Sequence, residues 1–262
     1  MSLIQEESTG EAPAGPRPSR RRALRRALYE ILLVVVLFTA YKIGRLAADG
    51  HVGEALANAD HVWNLERALR LPSEYALQHL VVAHQWLVKA ANCYYAYVHF
   101  PATAAPLIWL YVRRPERYVP TRRLLAWLTA AALAVHLLFP LAPPRMLTDV
   151  GMVDTGRLFG PDVYGSPSTD TLTNQYAAMP SLHVGWALAV AVALIGATTG
   201  RWRWLWLAHP ALTVLVVVIT GNHYWLDAVV AAALLGAVAA VLNAKTTASG
   251  APVIPKPRVR QI

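Results

Sequence analysis

The chain has 262 residues, of which 56% are hydrophobic and only 15% charged, and its mean hydropathy is +0.36. A soluble domain usually has about 25% charged residues, so the composition excludes an ordinary soluble enzyme and fits a polytopic membrane protein. The net charge of +9 is not read as nucleic-acid binding, because the Arg residues lie beside apolar segments, where they set membrane orientation.

Nine Trp and eleven Tyr against four Phe suit side chains that favour the headgroup level. The single cysteine, Cys93, excludes an intrachain disulfide and a cysteine-based metal site.

Residues 1–27 read as a disordered basic tail, rich in Pro, Gly, Ser and Glu and ending in the Arg run 20–26. An apolar run then predicts a signal-anchor helix at about 28–48, with Lys42 and Arg45 snorkelling at its far end. No small-x-small cleavage site follows cleanly, so the segment is expected to be retained. Residues 52–90 form outer interfacial helices. Val52, Ala55, Leu56, Ala59, Val62, Trp63 and Leu65 recur at helical spacing, and Leu71-Pro72-Ser73 breaks the first helix and caps the next.

Five more spans are predicted at about 93–112, 124–141, 183–199, 205–221 and 224–243. Pro101 and Pro106 are expected to kink the first of these. A short basic loop occupies 113–123, and a long outer loop, 142–178, carries Pro, Gly, Ser, Thr and Asp. Residues 244–262 read as a flexible tail. The predicted fold is all-α: a six-transmembrane-helix bundle over 28–243 with an outer amphipathic segment. With both termini cytoplasmic, the inner segments hold 17 of the 24 Lys and Arg, as the positive-inside rule requires. The long loop and the two stretches described next then fall on the extracytoplasmic face of a cell membrane.

Those stretches are Ala178-Met179-Pro180-Ser181-Leu182-His183 and Gly221-Asn222-His223-Tyr224-Trp225-Leu226-Asp227. His223 and Asp227, four apart at a helix start, share a face. Asp227 can accept from one ring nitrogen of His223 and leave the other exposed as a nucleophile. A structural His–Asp pair between helices is the equal alternative. Pro180 and Ser181 suit a first turn and a cap, so 181–183 would form an anion site at a helix N-terminus. There Ser181 can donate to phosphate and His183 can protonate a leaving alkoxide. A plain capped helix with an interfacial His is the alternative. Arg145, after Pro143 and Pro144, can hold phosphate through its planar fork or bind a headgroup without catalysis. Asn222 and Tyr224 flank His223 and can orient it or bind substrate.

Other polar residues read as structural. His99 packs or stabilises the Pro101 kink more readily than it lines a site. His136 makes a buried contact. Glu66 is a solvated or helix-pairing charge, and His51, His61, His79 and His84 are surface groups. Together the main residues make a phosphoryl-transfer site. His223 attacks phosphorus, Arg145, Ser181 and the backbone of 181–183 hold the oxygens, and His183 acts as acid and then base. Such chemistry needs mainly positioning and charge stabilisation.

Met179-Pro180-Ser181-Leu182-His183 and His223-Tyr224-Trp225-Leu226-Asp227 resemble the second and third motifs of the type 2 phosphatidic acid phosphatase superfamily. They look most like its inositol phosphorylceramide synthase (aureobasidin-resistance) branch, with further similarity in 65–69, 94–101 and 174–183. The resemblance covers about 55–242. It implies a six-helix membrane enzyme with His223 as nucleophile, Asp227 as its partner and His183 as acid/base. It implies metal-independent, cofactor-free chemistry on phospholipids or polyprenyl phosphates, with the bilayer as the other partner. The chain departs from the pattern in three places. Val217 stands where the third motif usually has Arg, Leu182 replaces the second motif's Gly, and the first motif's Lys has no counterpart near 138. Three other readings stay open: an intramembrane serine hydrolase using Ser181, a non-enzymatic lipid-binding membrane protein, and a metal site from His183, His223 and Asp227. Nothing in the residues sets the lipid, the acceptor or the oligomeric state.

Overall fold

The computed structural model describes residues 20–48, 51–163 and 175–248. The expectations for 1–19, for 249–262 and for the middle of the outer loop lie outside them. Among the described residues the chain is all-helical. Helix α1 (Arg20–Ala48) begins earlier than the expected 28, so the basic run opens the helix. Helix α2 spans Val52–Ala68 and α3 spans Glu74–Val82. Ser73 caps α3 as predicted, its Oγ accepting from the Ala76 N–H at 3.3 Å.

Helix α4 (Gln85–Cys93) runs through a π-helical turn, Tyr94–Val98, into α5 (His99–Arg113). The irregularity expected from Pro101 falls here, because Pro101 has no N–H to give the carbonyl four residues back. Helix α6 (Pro115–Leu138) corrects the predicted 113–123 loop. Arg114 alone separates α5 from α6, and Pro115 takes the first helical position, where a missing N–H does no harm. The outer loop is also less irregular than expected. It holds 3₁₀ turns at Pro144–Met146 and Thr148–Val150 and a short helix, α7 (Thr155–Phe159). Helix α8 spans Leu182–Ala197. A 3₁₀ stretch, Arg201–Leu207, leads into α9 (Ala208–Ile219), and α10 spans Trp225–Ala248.

Two helical stretches, Arg201–Ile219 and Trp225–Lys245, are long and apolar enough to cross a membrane, while Ala27–Thr39 and Leu182–Ala197 are apolar but shorter. Helix α8 sits at the centre, packed by α5, α6, α9 and α10. Its buried face uses small residues, Gly185, Ala187, Ala189 and Ala191, which let neighbouring helices approach closely. A Cβ on Gly185 would stand 3.1 Å from Leu128 of α6.

Two apolar clusters flank the head of α8. One joins Ala55, Ala59 and Val62 of α2 to Leu141, Ala142, Leu147, Ala178 and Tyr224. The other joins Ala91 and Tyr95 to Val184, Val216, Val217 and Ile219.

Candidate active site

Three chain segments converge between these clusters. The first leaves α6 as Leu141–Arg145. Leu141 makes an isolated parallel bridge with Ala177, donating to the Tyr176 carbonyl at 2.8 Å and accepting from Ala178 at 3.2 Å. The second is 177–183, at the head of α8. The third is the turn between α9 and α10. There the Gly221 N–H reaches the Val218 carbonyl and the Asn222 N–H reaches Val217, at 2.9 Å each, which is a Schellman closure. Gly221 has φ +70°, and a Cβ there would stand 3.0 Å from Gln78 Nε2 and 3.1 Å from Arg145 Cβ. Glycine is therefore required at this turn. The Gly221 carbonyl accepts the Arg145 N–H at 2.8 Å and so ties the first segment to the third.

The segments enclose a cavity of about 310 Å³ whose lining includes Tyr95, Phe100, His136, Arg145, His183 and His223. His223 is fixed through one ring nitrogen. Its Nδ1 lies 2.8 Å from the Ala178 carbonyl oxygen and 3.1 Å from Asp227 Oδ2. Both are acceptors, so Nδ1 carries the proton and Nε2 keeps its lone pair. Burial pushes the His223 pKa down to about 3, opposed by the Ala178 hydrogen bond and reinforced by the Arg145 charge. The ring is therefore neutral at physiological pH.

Helix α10 starts at Trp225, so His223 stands just before the helix and not on its first turn. Asp227 still reaches it, because its Oδ2 folds back to accept the Tyr224 N–H at 2.9 Å. This is the carboxylate half of a capping box. Asp227 is fully buried.

His183 faces His223 with ring centroids 5.8 Å apart. One phosphorus centre between them can reach both rings. Tyr95 and His99 pack against His183, with centroids at 4.7 and 4.9 Å. Arg145 is 6% exposed. Its Nη1 donates to Asn222 Oδ1 at 2.6 Å, and its Nε lies 3.3 Å from Asp154 Oδ2. Asn222 is itself oriented by donating to Thr220 Oγ1 at 2.8 Å.

The remaining predicted residues sit differently. Ser181 is 1% exposed and does not line the cavity. It is the cap of α8, its Oγ accepting from Val184 at 3.4 Å, and its N–H goes to the Asp227 carbonyl at 3.2 Å. Pro180 therefore precedes the cap instead of opening the helix, and the expected 181–183 cradle loses its first N–H. Tyr224 is fully buried and donates to the Ala142 carbonyl at 3.0 Å, outside the cavity lining. Val217, where the resemblance expects Arg, is 1% exposed in the second apolar cluster.

Several residues near the site were read in the sequence as structural or were not singled out. His136 lines the cavity while its Nε2 donates to the Pro180 carbonyl at 3.1 Å. His99 is 1% exposed and lies between His183 and His209, stacked on the latter with centroids 5.6 Å apart. Asn92, Thr155 and Thr220 form a buried network that holds α7 against Asn222. Glu66 is not solvated. It is fully buried, on the same α2 stripe as Ala55, Ala59 and Val62, and that spacing was the signal for it.

Among the described residues no group of three or more His, Cys, Asp or Glu is arranged to hold a metal ion. No curated protein and no solved structure matches the chain. The family model of the PAP2 superfamily matches residues 60–241. That match begins within α2, ends within α10 and takes in every residue that meets at the cavity, and the chain belongs to the PAP2 superfamily.

Proposed function

We propose that this PAP2 superfamily member is an integral membrane lipid-phosphate phosphatase or phosphotransferase that works through a phosphohistidine at His223. The observation that carries the reading is the doubly anchored Nδ1 of His223. It leaves a neutral Nε2 in a cavity shared with His183 and Arg145.

In the first step Nε2 attacks phosphorus and the bond to the leaving oxygen breaks. His183 gives that oxygen its proton. Asp227 balances the charge on the phosphorylated ring, and Arg145 stabilises charge on the phosphoryl oxygens. In the second step an acceptor hydroxyl, from water or an alcohol, gives its proton to His183 and attacks phosphorus, and the bond to Nε2 breaks. Asn222 orients Arg145, and Ser181 and Tyr224 position the segments without touching substrate. The chemistry uses no metal.

The resemblance to the inositol phosphorylceramide synthase branch favours an alcohol acceptor and phosphoinositol as the group transferred. The bilayer holds the enzyme as a single membrane domain of six spans, with both termini inside and the cavity facing out. Support comes from large apolar side chains left exposed on the helices, among them Ile108, Leu138, Val192, Leu215 and Val241. A serine hydrolase is poorly served, because Ser181 is buried and committed to capping α8.

The test is incubation of purified protein with lipid phosphates, diphosphates and phosphatidylinositol, with and without lipid alcohols. Released inorganic phosphate identifies a phosphatase, and a new phosphodiester a transferase. No product with any substrate, or full activity in His223→Ala, overturns the proposal.

A further inference from the structure

Helix α2 grips two of the three segments that build the cavity. The Ala55 carbonyl accepts the Ala142 N–H at 3.0 Å, and Asn58 Nδ2 donates to the Pro140 carbonyl at 2.9 Å. Both bonds hold the segment that carries Arg145. One helical stripe further along, Glu66 Oε1 accepts the Leu226 N–H at 2.7 Å. Leu226 is the second residue of α10, next to Asp227. A helix leaves its first N–H groups without internal partners. Here one of them is satisfied by a side chain from a different helix.

Glu66 has a second buried neighbour. Glu74, at the start of α3, is fully buried beside it and receives Arg67 Nη2 at 2.8 Å. Glu66 Oε2 and Glu74 Oε1 are both buried without a conventional hydrogen-bond partner. A proton on Glu66 directed at Glu74 satisfies both oxygens.

We infer that α2 is the strut that sets Arg145 and His223 in register, and that protonated Glu66 is the positioning residue through which it holds the nucleophile turn. The inference rests on the reading of His223 as nucleophile. Glu66 acts through Leu226 and Asp227 and does not touch substrate. The groups that face it are Arg67 of its own helix, Glu74 of α3, and Tyr224 and Asp227 at the head of α10. Burial, with Glu74 adding to it, pushes the Glu66 pKa up to about 9, so the acid form persists through neutral pH.

The experiment compares wild type, Glu66→Ala and Glu66→Gln in detergent micelles containing short-chain phosphatidic acid. Steady-state kinetics from pH 6 to 10 are set beside amide exchange over 140–145 and 222–228. Glu66→Ala is expected to lower kcat about a hundredfold, the scale of a small misplacement, with KM little changed and faster exchange at Leu226. Glu66→Gln keeps the acceptor for Leu226 and a donor for Glu74, so it is expected to restore rate and protection. It is also expected to abolish the fall in kcat expected of wild type near pH 9. Wild-type kcat and exchange in Glu66→Ala, or a Gln variant as impaired as Ala, overturns the inference. If Glu66→Ala speeds exchange while wild type forms no phosphohistidine and no product, the strut stands and phosphoryl transfer falls.

Discussion

His223 and Asp227 meet through a single hydrogen bond, Nδ1 to Oδ2 at 3.1 Å. The same Oδ2 accepts the Tyr224 N–H at 2.9 Å, so one carboxylate oxygen fixes both the imidazole and the backbone that carries it. In the proposed mechanism Asp227→Asn removes the charge that stabilises the phosphorylated ring and offers the wrong tautomer partner. By analogy with serine-protease triads, kcat should fall by about 10²- to 10⁴-fold, with KM nearly unchanged. Wild-type turnover in this variant would reduce the pair to a structural tie.

In the proposed mechanism Arg145 clamps the phosphate, and its fork is aimed by Asn222 on one side and Asp154 on the other. Arg145→Lys loses the planar fork and should lower kcat/KM about a hundredfold or more, the scale of one lost transition-state donor. Asn222→Ala leaves the guanidinium present but less well aimed, and should lower kcat/KM by about tenfold, the low end for a hydrogen bond to a charged group. Equal effects from the two variants in steady-state kinetics would contradict this division of roles.

Restoring the Arg that the resemblance expects at 217 should not restore a second clamp. Val217 packs with Ala91, Tyr95 and Val184, and its carbonyl already closes the turn by accepting from Asn222 and His223 at 2.9 and 3.0 Å. Val217→Arg buries an unpaired charge and should destabilise by about 3 kcal/mol or more. Thermal unfolding in detergent reads this as a lowered Tm. An unchanged Tm with tighter phosphate binding would show that the side chain can reach the cavity.

The Glu66 carboxyl gives stability a definite pH dependence. Its pKa is raised by burial from 4.5 to about 9, so between these values the unfolded chain has released a proton that the folded chain keeps. Stability is fully present below about 4.5 and is lost as pH rises toward 9. Tm should therefore decline across this interval in wild type and decline less in Glu66→Gln. Identical slopes would show that Glu66 does not hold the proton.

The sequence carried the helical character, the outer helix with its Ser73 cap, and the pairing of two His-containing stretches. Hydrophobic period and cap chemistry are local, and the His and Asp residues stood out at helix heads. Long-range contacts were hidden. Nothing in the local pattern says that Tyr224 turns toward Ala142, or that Ser181 spends its N–H on the Asp227 carbonyl. The basic 113–123 stretch read as a loop because its charges outweighed the helix-start signal of Pro115. Of the two readings of Glu66, helix pairing holds and solvation fails, because Glu66 continues the Ala55–Ala59–Val62 stripe, where a solvated charge does not belong.

The most direct test of the account is chemical trapping of the phosphoenzyme. Purified protein is mixed with phosphate-labelled phosphatidic acid, quenched in alkali and mapped by mass spectrometry. The account predicts an acid-labile, alkali-stable phosphate on His223, absent from His223→Ala together with product formation. No label on His223, with His223→Ala turning over at the wild-type rate, would contradict it.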